Sequence, residues 1–335
     1  MIDMIRESQL SEPNSLMFND RVVLITGAGR GIGREHARYF AARGAVVIVN
    51  DNGASLHGTG GEDHHVADRV VAEIVSAGGR AVSACCDIVD AKAVQHMVSS
   101  AVAAYGRLDV VVHNASVYAP LGTFAEARVE DLDRITRVNV HGGWNVLQAA
   151  WSPMLSQGYG RIVITGSGAG FFGRRRDHAY SIAKAGLMTL TKLLATEGEA
   201  YGIRVNLIGP VAWTDNSKEQ GIPPLMEQFA PPVLVSHVVA ALAHEGCPVN
   251  GEMFHCGGGF VARVFVGETR GTVFPGGAMS AEDVLSSLHQ IMDTEGFSVP
   301  ANSDRSGAHL SASIASANPA FAEALAAVKA ARRLK

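Results

Sequence analysis

The sequence predicts an α/β protein built on a doubly wound parallel sheet of about seven strands, with a C-terminal extension beyond it. Three observations predict it. Short apolar runs such as Val46-Val47-Ile48-Val49 show no polar alternation, so their strands are covered on both faces. Amphipathic stretches of helical length separate these runs. Glycine, at 37 of 335 residues, gathers at the joints, as tight strand-to-helix turns require. Strands that alternate with helices give parallel order and right-handed crossovers.

The elements follow in order. Residues 22–25 form the first strand, and a Gly-rich turn leads into a helix over 32–43. Residues 46–49 are the second strand, and 66–77 a helix closed by Gly78-Gly79. Residues 81–84 and 91–105 make the third strand and helix, and 110–112 the fourth strand. A long helix lies within 132–155. Residues 162–164 are the fifth strand, 180–201 a helix, 203–208 the sixth strand and 253–255 a seventh. Residues 1–19 form a polar leader without the apolar core of a signal peptide. Residues 20–260 form the sheet domain, including a Pro-rich segment at 211–233. Residues 261–335 form the extension, read as a lid or an oligomer contact. It continues the apolar stretch 260–266, holds a helix after Ser280, whose spacing to Asp283 is that of a capping box, and ends in an Ala-rich helix from Asn318-Pro319.

Composition excludes several classes. Apolar residues are 47% and charged residues 18%, a globular balance, and the net charge of −4 argues against nucleic-acid or anionic-membrane partners. No stretch reads as long enough for a membrane span. Cys85, Cys86, Cys247 and Cys256 contain no C-x-x-C pair, so reduced thiols in a cytoplasmic protein are expected. The final Arg333-Leu334-Lys335 does not read as a peroxisomal address. His57, His64 and His65 lack partners at ligand spacing, so no metal is expected.

Thr26-Gly27-Ala28-Gly29-Arg30-Gly31-Ile32-Gly33 lies between the first strand and the first helix. Glycines there let a backbone approach a pyrophosphate at a helix N-terminus, where free N–H groups point at the anion. Asp51 ends the second strand, 18 residues after Gly33. A carboxylate at that place accepts hydrogen bonds from the adenosine ribose hydroxyls and repels a 2′-phosphate, so NAD is expected rather than NADP. Arg30 argues the other way, since a guanidinium suits a 2′-phosphate. Tyr180 and Lys184 are four apart on one helical face, and Ser167 follows the fifth strand, thirteen positions before Tyr180. Asn139 falls in the preceding long helix.

The glycine turn, His113-Asn114-Ala115-Ser116, Ser167 and the Tyr-x-x-x-Lys spacing resemble the short-chain dehydrogenase/reductase family, from about Phe18 to Phe260. Val49-Asn50-Asp51 with its Gly-rich insertion, Ala149-Ala150-Trp151 and Tyr159-Gly160-Arg161-Ile162 are similar to the dehydrogenase part of multifunctional enzyme type 2 (17β-hydroxysteroid dehydrogenase type 4) and its bacterial relatives. The resemblance implies a Rossmann-like fold and an enzyme that interconverts a secondary alcohol and a ketone. Tyr180 would be the acid/base, and Lys184 would lower its pKa and hold the nicotinamide ribose. Ser167 would bind the substrate oxygen, and Asn139 would anchor a water leading from Lys184. Gly27, Arg30, Gly31, Ile32, Gly33 and Asp51 would meet the pyrophosphate and ribose. Asp87 and Ile88 would meet the adenine, and Asn114, Ala115 and Ser116 the adenosine ribose side. Pro210, Val211 and Thr214 would lie along the nicotinamide. Four positions depart from the family pattern: His113 stands for an Asn, Ser116 and Val211 each for a Gly, and Thr214 comes one place early.

Val117, Tyr118, Phe171, Phe172, Trp213, Leu225, Met226 and Phe229 would enclose a bulky hydrophobic substrate. A 17β-hydroxysteroid such as estradiol or testosterone, oxidised to the 17-ketone, comes first. A 3-hydroxyacyl-CoA comes next, with Arg174, Arg175 and Arg176 in place to grip phosphates. An NADPH-dependent 3-oxoacyl carrier-protein reductase draws on Arg30, and a non-catalytic nicotinamide sensor is opposed by the retained Tyr180 and Lys184. The resemblance also implies a homodimer or homotetramer.

Overall fold

The computed structural model describes residues 16–58, 63–215, 217, 223–274 and 279–333. Strands β1 (Val22–Thr26), β2 (Val46–Asn50), β3 (Arg80–Ala84), β4 (Val110–His113), β5 (Gly160–Thr165), β6 (Ile203–Pro210), β7 (Met253–Gly257) and β8 (Phe260–Val264) form one sheet. Their order is β3-β2-β1-β4-β5-β6-β7-β8. All neighbours pair parallel except β7 and β8, which are antiparallel. The count of about seven is thus corrected to eight. Gly258 and Gly259, at φ 57° and 83°, turn the chain back on itself and make the apolar stretch after them an edge strand.

Among the described residues the α-helices in chain order are α1 (Gly31–Ala41), α2 (Val66–Ser76), α3 (Ala91–Tyr105), α4 (Val129–Thr136), α5 (Gly143–Gln157), the short α6 (Gly168–Phe172), α7 (His178–Gly198), the short α8 (Met226–Phe229), α9 (Val233–Ala243), α10 (Ala281–Ile291), α11 (Ser303–Ala317) and α12 (Pro319–Arg333). Strand residues alternate between two cores. Leu24, Ile48, Val111 and Ile162 pack on one face with Val98 of α3 and Leu187 of α7. Val23, Val47 and Val112 pack on the other with Phe40 of α1 and Val239 of α9. This two-faced burial is why the strands read as unbroken apolar runs. Asp90 caps α3 by accepting from Lys92 N and Ala93 N at 2.9 and 3.1 Å, and Gly106 ends it at φ 75°.

The long helix expected within 132–155 is interrupted. A π-helical turn, Arg137–Gly142, joins α4 to α5 and contains Asn139. Such turns free a backbone carbonyl and gather at functional sites. The reading of membrane-span length is corrected too: Met226–Ala243 is long and apolar enough by composition, with mean hydropathy 1.2. Its two helices are broken at Ala230–Pro232, and α9 packs Val235, Val239 and Ala240 into the core.

The described residues fall into two compact units that part between Val264 and Phe265, beyond the boundary at 260 placed from the sequence. In the second unit Ser280 and Asp283 form the capping box, with Asp283 N donating to Ser280 Oγ at 3.1 Å and Ser280 N to Asp283 Oδ2 at 2.9 Å. Phe265 stacks on Phe297 at 5.5 Å. The leader falls outside the described residues except at 16–19.

Two buried histidines make the fold acid-sensitive. His36 of α1 lies beside Ser236 of α9 at 2.8 Å, and burial pushes its pKa down to about 3. Burial, then the charge of Lys184, pushes His113 down to about 4. Both stay neutral in the fold while the unfolded chain binds protons below about pH 6.5, so stability falls as pH drops from there toward 4. The loss is expected to be on the order of 5 kcal/mol across that window, at roughly 1.4 kcal/mol per unit for each ring. Denaturant unfolding at pH 7, 6 and 5 measures it. His36→Gln should halve the slope, and a flat profile would contradict the account.

Candidate active site

The strand order reverses between β1 and β4, and the crevice at such a point opens at the carboxyl ends of the strands. A cavity of about 740 Å³ lies there. Of the residues expected at the site, all line it except Gly33 and Asn139. Residues not singled out join them, notably Ala54, Ser55, Leu56 and Gly58 of the insertion after β2, and Thr165 at the end of β5.

At one end, the glycine turn is too close-packed for side chains. A Cβ on Gly27, at φ 62°, would stand 2.7 Å from Ala115 Cα, and one on Gly33 would strike the Gly27 carbonyl. Gly33 therefore serves packing behind the turn. Gly29 is a further requirement that motif reading passed over. Its N–H donates to Asp51 Oδ2 at 2.9 Å, and a Cβ there would press on the same oxygen and on Val66. Gly53 N holds the other carboxylate oxygen at 2.8 Å. Arg30 leans instead toward the insertion, to Ala54 O at 3.5 Å and Asp63 at 3.9 Å. Asn114 spends its amide on the carbonyls of Thr26 and Gly27, at 3.2 and 3.1 Å, tying β4 to the turn. Ser116 Oγ is buried with no hydrogen-bond partner although its residue lines the cavity. The side-chain-free cradle, the helix N-terminus, the fixed carboxylate and this orphaned hydroxyl fit a dinucleotide.

At the other end, α7 carries Tyr180 and Lys184 one turn apart. Lys184 is buried, its Nζ donates to the Thr165 carbonyl at 2.7 Å, and burial lowers its pKa to about 7. Nζ stands 5.5 Å from the Tyr180 ring centre. Ser167 opens α6 and caps it, accepting from Ala169 N at 3.1 Å. The Tyr180 hydroxyl donates to Tyr118 at 3.2 Å and is also in hydrogen-bonding contact with Ser167. Burial, then the Tyr118 phenol, holds the Tyr180 pKa well above its ordinary value.

Asn139 is fully buried and turned away. Its amide is used on both backbone groups of Val117, at 2.8 and 3.1 Å, and its carbonyl meets His113 Nε2 at 3.3 Å. Any link to Lys184 runs through that carbonyl rather than the side chain. Since a carbonyl only accepts, His113 carries its proton on Nε2, and its Nδ1 faces Thr26 Oγ1 at 3.2 Å. A Cβ on Gly143 would stand 2.6 Å from that Nε2, so the ring and the glycine are packed as one piece. Of the apolar side chains expected around the substrate, only Val117 and Tyr118 line the cavity among the described residues. Trp213 is buried, and Phe172 and Leu225 are exposed.

Fold and site together define an oxidoreductase of nicotinamide type acting on CH–OH groups, and comparison with known proteins agrees. Residues 21–221 match the family model described as short chain dehydrogenase. The chain is 39% identical over 287 residues to the mouse peroxisomal multifunctional enzyme type 2, covering 85% of this chain and 38% of that protein. It is 38% identical to a short-chain type dehydrogenase/reductase of Mycobacterium tuberculosis, covering 83% of this chain and 96% of the other. The solved carveol dehydrogenase of Mycobacterium avium in complex with NAD superposes at a TM-score of 0.66 with 26% identity, covering 72% and 97% of the two chains. The chain belongs to the short-chain dehydrogenase family. It spans about two-fifths of the length of its mouse relative.

Proposed function

We propose that this protein is an NAD-dependent dehydrogenase that oxidises the secondary alcohol of a 3-hydroxyacyl thioester to the ketone. The observation that carries the reading is one cavity with the Ser167, Tyr180 and Lys184 groups at one end and the Asp51 carboxylate at the other. Bound there, oxidised NAD would take the hydride from the carbinol carbon. Tyr180 accepts the hydroxyl proton as that hydride leaves, and Ser167 donates a hydrogen bond to the substrate oxygen. The neutral Tyr180 phenol is held as an acid by burial, so it needs the positive charge of Lys184 to act as a base. Lys184, with Nζ 5.5 Å from the Tyr180 ring centre, would supply that charge and hold the nicotinamide ribose. Asn139 contributes through its carbonyl, as a relay end beside His113.

Asp51, held by two N–H groups, would accept the ribose hydroxyls and repel a 2′-phosphate, and Arg30 is drawn off toward Asp63. Both support NAD, as does the NAD complex of the carveol dehydrogenase. The remaining cofactor-site residues, from Gly27 and Gly31 to Asp87, Ile88, Pro210, Val211 and Thr214, keep their assigned sides of the cavity in this reading. A thioester is supported over a steroid because, of the apolar side chains expected around the substrate, only Val117 and Tyr118 line the cavity among the described residues, while Arg174 lines it too. Arg174 pairs with buried Asp177 at 3.8 Å, and the exposed Arg175 and Arg176 beside it suit phosphates. An oligomer, dimer or tetramer, belongs to the same reading, since Leu285, Leu288 and Met292 of the second unit are exposed and would be covered in one. Four free cysteines support a reducing compartment such as the cytoplasm.

The test is a panel followed by NADH absorbance: 3-hydroxyacyl-CoA substrates, estradiol and testosterone, each with NAD and NADP. The thioesters with NAD are expected to exceed every other pair by about tenfold or more in kcat/KM. A steroid that outruns every thioester replaces the substrate, and a preference for NADP replaces the cofactor.

A further inference from the structure

Tyr118 is a second phenol at the reaction centre. Its ring is stacked on that of Tyr180, with centroids 4.4 Å apart and planes 23° off parallel. The two hydroxyls are 3.2 Å apart, and both residues line the cavity. The backbone behind the ring is fixed from three sides. Tyr118 N donates to Leu56 O of the insertion at 3.0 Å. Arg134 Nη1 donates to the Tyr118 carbonyl at 3.3 Å. Asn139 holds Val117 just before it. The backbone that carries the phenol is therefore held in place.

In this arrangement Tyr118 works against its neighbour. It adds to the burial that keeps the Tyr180 proton in place, which hinders a base. The conflict ends if the Tyr118 hydroxyl has another partner once substrate is present. A lone secondary alcohol offers one oxygen, which Tyr180 and Ser167 already serve. A 3-hydroxyacyl thioester offers a second, its carbonyl, two carbons from the reacting carbon. Two phenol hydroxyls a hydrogen-bond length apart match two oxygens in that 1,3 relation.

We propose that Tyr118 is a substrate-contacting residue whose hydroxyl donates a hydrogen bond to the thioester carbonyl while Tyr180 serves the reacting oxygen. This rests on the thioester reading above. Tyr118 then selects for β-oxygenated substrates and fixes how the carbinol carbon is presented. Its hydroxyl gains and loses no proton in the reaction.

The experiment compares the full chain and Tyr118→Phe, which keeps the stacked ring, on 3-hydroxybutyryl N-acetylcysteamine thioester and on 2-pentanol with NAD. Cofactor titration verifies that the variant is folded. Tyr118→Phe should lower kcat/KM for the thioester about tenfold, mainly through KM, and should not lower it for 2-pentanol, which makes no use of the hydroxyl. The pH profile of kcat with the thioester, in which the Tyr118 hydroxyl is engaged by the carbonyl, should not move. Binding of the acetoacetyl thioester, measured by calorimetry without turnover, should weaken by a similar factor. Equal losses on both substrates with a shifted pH profile would mean that Tyr118 acts through Tyr180, and would overturn the proposal. So would an unchanged preference for the thioester. If the unaltered protein prefers a steroid to every thioester, the substrate reading falls and the assignment falls with it; if it prefers the thioester and Tyr118→Phe keeps that preference, only the assignment falls.

Discussion

Tyr180→Phe is expected to lower turnover by on the order of a thousandfold, while affinity for NAD stays within about twofold. The phenylalanine ring keeps the buried place and the stack on Tyr118, so the fold has no reason to change. Only the hydroxyl is lost, and with it the atom that would accept the substrate proton. Lys184 and Ser167 cannot substitute for it. Lys184 Nζ is held at the Thr165 carbonyl, and Ser167 Oγ is engaged in capping α6. Steady-state turnover and fluorescence titration of NADH give both quantities. Turnover within tenfold of the unaltered protein would remove Tyr180 from the acid/base role.

The second large effect is at Asp51. Asp51→Ala is expected to lower kcat/KM with NAD about a hundredfold and to leave NADP unchanged or improved, so that the preference disappears. Two costs add. The ribose hydroxyls lose their acceptor, and the N–H groups of Gly29 and Gly53, now at 2.9 and 2.8 Å from the carboxylate, lose theirs. The second cost loosens the glycine turn itself, so the effect exceeds that of a simple ribose contact. Asp51→Asn separates the two: it keeps an acceptor and removes the charge, so the NADP arm should recover while the NAD arm falls less. A variant that keeps its full preference for NAD would show that the choice is made elsewhere.

Much of this was legible in the sequence, for identifiable physical reasons. A parallel strand buried on both faces must be apolar throughout, so residues 22–25, 46–49 and 162–164 announced themselves. The glycine turn was legible because a close approach leaves no room for a Cβ, Tyr180 and Lys184 because a helix repeats every turn, and Ser167 because it follows the fifth strand. What stayed hidden depends on distant partners. β8 alternates too weakly to stand out, and only its pairing with β7 makes it a strand. The helix Ser303–Ala317, rich in Ser and Ala, carries no strong apolar stripe. The π-turn at Asn139 shows in no local pattern, and neither does the use of its side chain on Val117. Tyr118 read as one apolar residue among several, because the sequence does not say that residues 62 apart end with their hydroxyls in contact. Nor does it say that Trp213 and Phe229 stay out of the cavity lining.

The packing of His113 against Gly143 ties what one position tolerates to what stands at the other. The imidazole is pinned at both ends, to Thr26 and to the Asn139 carbonyl, so it has no slack to give to a neighbour. A methyl group at 143 would meet it at 2.6 Å. The coupling runs one way: a side chain at 143 requires the ring at 113 to shift or to be gone, whereas a smaller residue at 113 makes no demand on the glycine.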